Sequence, residues 1–341
     1  MKRRQLLFAV AAAGLLPREA FGQAPAPPAA RFADMHSHLM LRQGISGETL
    51  RRHGMRVIAE KLIPDGPLIR ALGNKLAVFR DAAPGEMRRN FEFQLDRLRS
   101  QLAERDVPLM SSVAALDRAL QERVPGVALS SEGADFLEGD LAYLETMRAA
   151  GLACLQLVHY RVSEVGDIAT EEPRHGGLTA FGKDVVRACN RLGILVDVAH
   201  CTTAGIEQAL EISSKPIVYS HGFVSMEEPR PGQRNARAIH APLARKLANK
   251  GGAVGIWPLG TMFGNREAYA EALLRAAGML GVNHVGIGSD INGLPNTVLP
   301  THEEFAEVAE LLAKKGLKDG EVEAVMGGNY LRVLRQALAS T

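Results

Sequence analysis

Short apolar runs alternate along this chain with stretches of helical periodicity. Residues 32–38, 55–63, 127–133, 153–158, 194–199, 216–220, 253–257 and 284–289 read as strands, rich in β-branched and other apolar residues and bounded by Gly, Pro or charged positions. Between them, 86–105, 112–122, 137–150, 179–192, 203–212, 241–249, 267–279, 301–314 and 321–338 read as helices. Phe91, Leu95, Leu98 and Leu102 form the plainest apolar stripe. Gly151 and Gly193 sit where a left-handed C-cap belongs, and Gly327-Gly328 is placed to break or delay the last helix. Strands that are apolar on both faces and separated by helices argue for a parallel sheet. Eight such units predict an α/β fold, a (β/α)8 TIM barrel, as a single domain over 31–341. The rival is an open doubly wound sheet. It calls for a glycine-rich phosphate turn after the first strand, and this chain has His36-Ser37-His38 there.

In a barrel, active residues sit at the C-terminal ends of the strands. The runs here end in His36 and His38, Glu132, His159, His200, His221 and Asp290. Each is a metal-ligand or proton-transfer type, and their agreement of position and kind is the strongest signal in the chain. Side chains two apart on a strand share a face, so His36 and His38 can aim into one cavity. Imidazole and carboxylate together suit zinc or a similar divalent ion. Seven candidates exceed the needs of one zinc, whereas two metals bridged by a carboxylate and a water use them. Glu132 is the natural bridge, because a carboxylate has two oxygens to offer.

Other chemistry-bearing residues carry plainer readings. His53, His240, His284 and His302 occupy polar or helix-flanking positions and read as solvated or capping, and His175 lies in a Gly-rich loop. Asp34 reads as a partner below His36, and Asp197 as a satisfied core acid. Trp257 either lines the pocket or packs. Cys154, Cys189 and Cys201 make no disulfide framework and read as small buried side chains.

The chain resembles the membrane dipeptidase (renal dipeptidase-like) metallopeptidases among the amidohydrolase-type barrels. The likeness rests on Asp34-Met35-His36-Ser37-His38, Leu129-Ser130-Ser131-Glu132-Gly133, the run from Gly177 to Lys183, Asn190 through His200, Pro216 to His221, Arg234-Asn235 and Val285 to Asp290. It is most specific from Gly177 to His221. The resemblance implies two zinc ions per chain, bridged by Glu132 and a hydroxide. His36 binds one zinc, joined by His38, while His200 and His221 bind the other. It further implies that His159 stabilises the oxyanion of the scissile carbonyl, and that Arg234 holds the substrate's terminal carboxylate. Asp290 passes a proton to the leaving amine. The implied reaction is hydrolysis of the peptide bond of dipeptides by the bridging hydroxide. Two positions depart from the pattern. His38 stands where the family has Asp, and Asn292 where it has a second acid. His38 can still bind zinc but removes a negative charge. A lactonase or N-acyl amino acid deacylase within the same superfamily is therefore the alternative. A non-catalytic metal- or solute-binding barrel is the third reading, and it needs neither His159 nor Asp290.

Composition narrows the partners. The 341 residues carry 40 Lys and Arg against 38 Asp and Glu, with 46% hydrophobic residues. Residues 1–30 read as an export signal and a spacer. Lys2-Arg3-Arg4 precedes an apolar run from Leu6 to Leu16 and small residues around Ala20-Phe21-Gly22, a twin-arginine-like order. The following APAPPAA is a stiff, extended spacer. Removing 1–30 takes away Lys2, Arg3, Arg4 and Arg18 against Glu19 alone, which leaves 36 basic and 37 acidic residues. The expectation is an exported, periplasmic protein with no lipid or GPI anchor and no stable membrane anchor. It takes a small peptide substrate and no nucleic acid, since no basic stripe with interleaved aromatics appears. A homodimer stays open.

Overall fold

The computed structural model describes residues 32–39, 44, 47–73, 75–233, 235–293 and 296–339. The strands are β1 (Phe32–Ser37), β2 (Met55–Leu62), β3 (Ile69–Leu72), β4 (Lys75–Val78), β5 (Gly126–Glu132), β6 (Cys154–Gln156), β7 (Leu195–Asp197), β8 (Val218–Ser225), β9 (Ala238–His240), β10 (Ala253–Ile256) and β11 (Val285–Ile287). Eight of them follow one another in space in the order β1-β2-β5-β6-β7-β8-β10-β11, every neighbouring pair parallel. The ends meet just beyond β11. Ser37 bridges Ile291, the Asp290 amide donates to the His36 carbonyl at 2.8 Å, and the His38 amide donates to Ile291 at 3.0 Å. The result is a nearly closed eight-stranded parallel barrel with helices outside, the predicted fold.

Local chemistry explains the helices. The helix Ala180–Leu192 starts where the Thr179 side chain accepts from the Gly182 amide, and stops at Gly193, whose φ of 73° suits a residue without a Cβ. It buries Val185, Val186, Ala188 and Cys189 against the barrel. Ser112, Thr202 and Asn265 cap three further helices in the same way. The helix Asn329–Leu338 touches β1, β7, β10 and β11 and packs its Tyr330, Leu331, Val333 and Leu334 with Ala33, Met35, Leu195 and Ala253. It plugs the end of the barrel opposite the strand tips. All three cysteines are free and buried.

Several elements differ from expectation. The helix predicted over 137–150 is confined to Tyr143–Ala149, because Glu138 and Gly139 adopt left-handed φ values of 49° and 83°. The predicted 301–314 helix begins only at Phe305, since Thr301 and His302 are tied down by side-chain hydrogen bonds. The last helix is indeed interrupted, with a wide turn over Ala324–Gly328. There Gly327 lies so close to β1 that a Cβ would stand 2.4 Å from the Ala33 amide. The β3–β4 hairpin and β9, which pairs with β8, were not anticipated. The export signal and spacer over 1–30 lie outside the described residues.

Candidate active site

The strand tips converge. His36 and His38 come from the end of β1, Glu132 ends β5, His159 follows β6, His200 follows β7, His221 lies in β8, and Asp290 follows β11. All seven are buried. Three overlapping groups have donor atoms close enough to hold a cation: His36, His38 and Asp290; His36, Glu132 and His221; and Glu132, His159 and His200. Glu132 sits at the centre. Its Oε1 lies 3.4 Å from His36 Nε2, 3.4 Å from His159 Nε2, 3.2 Å from His200 Nε2 and 3.6 Å from His221 Nε2. Its Oε2 lies 3.2 Å from His38 Nε2. Asp290 Oδ1 is 3.2 Å from His38 and 3.8 Å from His36.

Each ring is aimed from behind. The Ser220 hydroxyl is 3.2 Å from His36 Nδ1 and 3.0 Å from His221 Nδ1, so one oxygen orients two imidazoles. His38 Nδ1 donates to the Lys61 carbonyl at 3.0 Å, and His159 Nδ1 meets Asp65 Oδ1 at 2.7 Å. With four Nδ1 atoms engaged outward, the Nε2 atoms turn inward, the arrangement that orients metal-bound histidines. Both nitrogens of His200 are buried without a hydrogen-bond partner. His36 Nε2 and His38 Nε2 face each other at 3.2 Å. Crowded imidazole nitrogens around a carboxylate, one ring wholly unpartnered, fit a divalent cation with a preference for nitrogen and oxygen ligands.

The backbone supports the same placement. His200 and Asp290 hold positive φ values of 68° and 51°, uncommon for residues with a Cβ and concentrated at functional sites. Below them Asp197 Oδ1 accepts from the Ala199 and Ser220 amides at 3.0 Å each, tying the tips of β7 and β8 together. Its other oxygen binds Lys61 Nζ at 2.7 Å, both groups fully buried. Asp34 does similar work on the other side. It accepts from the amides of His36 and Ser289 at 3.1 and 3.0 Å, from the Ser289 hydroxyl, and faces His302 Nε2 at 2.9 Å. His302 is therefore a buried partner of Asp34, not the solvated or capping residue expected, because the bend ahead of the Phe305–Lys314 helix turns it inward.

Electrostatics keeps most rings neutral. Burial lowers His36, and burial with the Arg237 charge pushes His200 well below the usual imidazole value. Burial, His36 and Arg237 do the same to His221. These rings keep a lone pair free at neutral pH. For Glu132, burial acts upward, but the surrounding imidazoles, His159 and His36 foremost with His200 beside them, hold its carboxyl well below the ordinary range. For His159, burial acts downward and Asp65 and Glu132 outweigh it, raising the ring. His38 rises well above its ordinary value, since hydrogen bonds to Asp290 and Glu132 overcome burial.

Arg234 lies outside the described residues. Trp257 stands beside the site, its ring 5.7 Å from His221 and under the Arg237 guanidinium at 5.2 Å. Sequence reasoning missed Asp65, Lys61, Ser220 and Arg237. Asp65 follows β2 as the other candidates follow their strands, but Pro64-Asp65-Gly66 reads as a turn.

The profile of the membrane dipeptidase family, peptidase family M19, matches residues 73–341. The chain is 27% identical over 217 residues to "Dipeptidase tcpJ" of Claviceps purpurea, covering 61% of this chain and 50% of that protein. It is 27% identical over 256 residues to "Dipeptidase 3" of Mus musculus, covering 71% of this chain and 50% of that protein. The match thus spans about half the length of these relatives. Among solved structures, the chain is similar to the M19 metallopeptidase dipeptidase AC (TM-score 0.77, 18% identity, 91% of this chain and 99% of that one). It is also similar to a Rhodobacter sphaeroides metallopeptidase liganded with a phosphinate mimic of L-Ala-D-Ala (TM-score 0.75, 17% identity, again 91% and 99%). An amidohydrolase from Pseudomonas aeruginosa gives a TM-score of 0.72 at 21% identity, over 91% and 97% of the two chains. Since the family's profile matches well over half of it, the chain belongs to the membrane dipeptidase family.

Proposed function

We propose that this chain is an exported, zinc-dependent dipeptidase. The supporting observation is the position of Glu132, whose two oxygens face different histidines, Oε1 toward His36, His159, His200 and His221 and Oε2 toward His38. With both oxygens engaged, this carboxylate could be shared between two ions, one held by His36 with His38 and the other by His200 and His221. Ions held there would supply the Lewis acidity that activates a water near neutral pH and polarises the carbonyl under attack.

The chain's own groups do the rest. His159, fixed through Nδ1 by Asp65, presents Nε2 to the carbonyl oxygen as negative charge develops there, and a preorganised donor of this kind is usually a large catalytic term. Asp290 takes the proton of the attacking water and delivers it to the leaving nitrogen. Arg234 holds the terminal carboxylate through two parallel hydrogen bonds, which selects short substrates. The wall of Trp257 and Tyr160 beside His221 and His200 limits water around the reacting bond. No helix among the described residues is long and apolar enough to cross a membrane. The signal-like residues 1–30 are what supports export and a domain division at residue 31.

Metal analysis of the purified protein, joined to a panel of dipeptides, N-acyl amino acids and lactones, tests the proposal. About two zinc ions per chain and cleavage of dipeptides alone are expected. Zinc binding with turnover only of lactones or acyl amino acids overturns the dipeptidase reading in favour of the related hydrolases.

A further inference from the structure

Among the described residues, Arg237 is a cation without a carboxylate partner. It immediately precedes β9, which pairs with β8, and the Tyr219 hydroxyl donates to its carbonyl at 3.1 Å. Its half-buried guanidinium lies over Trp257. The Nη2 approaches His221 Nε2 at 2.8 Å, while Nε is buried with no partner. Among the described residues no carboxylate pairs with it, although nearly every other inward-facing charge in this region has a partner. An arginine carries five N–H donors, and leaving them unfilled near a buried site is costly. The imidazole atom it touches is one of those turned toward Glu132. If that atom is taken by a metal, the guanidinium loses its one side-chain partner here.

We propose that Arg237 is a specificity-determining residue that receives a second anionic group of the substrate. Dipeptides with aspartate or glutamate as the C-terminal residue are then the favoured class. The inference rests on the proposed dipeptidase function with Arg234 at the terminal carboxylate. Arg237 follows Arg234 by three positions in the sequence, and the side-chain carboxylate of the same substrate residue is the second anion assigned to it. The rigid backbone and the aromatic platform hold the guanidinium in place before substrate arrives, which favours a planar, bidentate carboxylate.

The test compares charged and neutral isosteres, Ala-Glu with Ala-Gln and Ala-Asp with Ala-Asn, in both D and L forms of the second residue, on zinc-loaded enzyme. The ratio of kcat/KM, acidic over amide, is expected to be about tenfold or more in the wild type, the scale of a charge-assisted hydrogen bond. R237Q is expected to bring that ratio close to one, and R237K, which keeps the charge but loses the fork, to leave an intermediate ratio. A wild-type ratio near one overturns the inference while leaving the dipeptidase reading intact. Loss of Ala-Glu and Ala-Gln by the same factor in both variants also overturns it, since a structural role moves both substrates together. Failure of every dipeptide overturns the proposed function and this inference with it.

Discussion

Lys61 and Asp197 form a fully buried ion pair directly beneath the histidine cage, 2.7 Å apart. Substituting Lys61→Met leaves the Asp197 carboxylate buried with only two amides to hold it. Breaking one side of such a pair costs about 3–5 kcal/mol. For a domain of this length, unfolding entropy of about 2 cal/mol/K per residue converts that loss into a fall in Tm of roughly 5–8 °C. Asp197→Asn keeps an oxygen for the Ala199 and Ser220 amides but strands the Lys61 charge, so its loss is expected to be of the same order. The double variant K61M/D197N buries no charge at all. Its loss should therefore fall short of the sum of the singles by a coupling of about 2–3 kcal/mol. Urea unfolding of the four proteins, in chelator so that metal release does not enter, measures the cycle. Additive losses refute the view that the pair is held together by mutual neutralisation. The pH dependence gives a second check. Burial acts to lower Lys61, but Asp197 outweighs it and the lysine is raised above its ordinary value of 10.5. A raised folded value means that the contribution is complete below the ordinary lysine value and is lost as pH climbs through the raised one. The K61M variant should lack that alkaline loss.

Asp65→Asn leaves His159 free to choose its tautomer and orientation, and kcat is expected to fall about 10–100-fold with less change in KM; an unchanged kcat in steady-state assays removes Asp65 from the mechanism. Chelation should lower Tm and added zinc restore it, because a ligand present at a hundred times its Kd stabilises the folded state by about 2.7 kcal/mol; calorimetric scans that coincide with and without metal exclude a bound cation. Burial, reinforced by the Asp65 charge, pushes Asp135 up to about 7 against an ordinary 3.8. The folded state then keeps a proton that the unfolded chain has released, so stability declines as pH rises from about 4 through 7. Asp135→Asn should flatten this decline in denaturant titrations, and a variant that tracks the wild type refutes it.

The barrel was legible because its strands are continuous apolar runs, and a run buried on both faces announces itself without knowledge of its neighbours. The cage was legible for a related reason. A parallel strand that stops at His, Glu or Asp hands over a polar group where a barrel opens. The supporting residues are of another kind. Ser220 orients two rings from within a strand pattern where a serine looks incidental, and Lys61 follows Glu60 near the end of a strand recognised by its apolar residues. Their roles depend on contacts across the barrel, 184 positions apart for Ser220 and His36 and 136 for Lys61 and Asp197. Asp65 and Arg237 sit in segments that read as turn and loop, where residue type does not reveal direction. The helix forecast over 137–150 failed because apolar periodicity registers a stripe but not the left-handed residues that end it early.

Asp34 joins residues that are 255 and 268 positions away, Ser289 and His302, to the strand that carries His36. Bringing such distant segments together carries a large entropy of loop closure. The donor set containing Asp290 can therefore form only after nearly the whole polypeptide has emerged. A chain still on the ribosome, or one clipped before residue 290, cannot assemble that half of the cage. Assembly of the His36, His38 and Asp290 group is thus a built-in report of completed synthesis and closure.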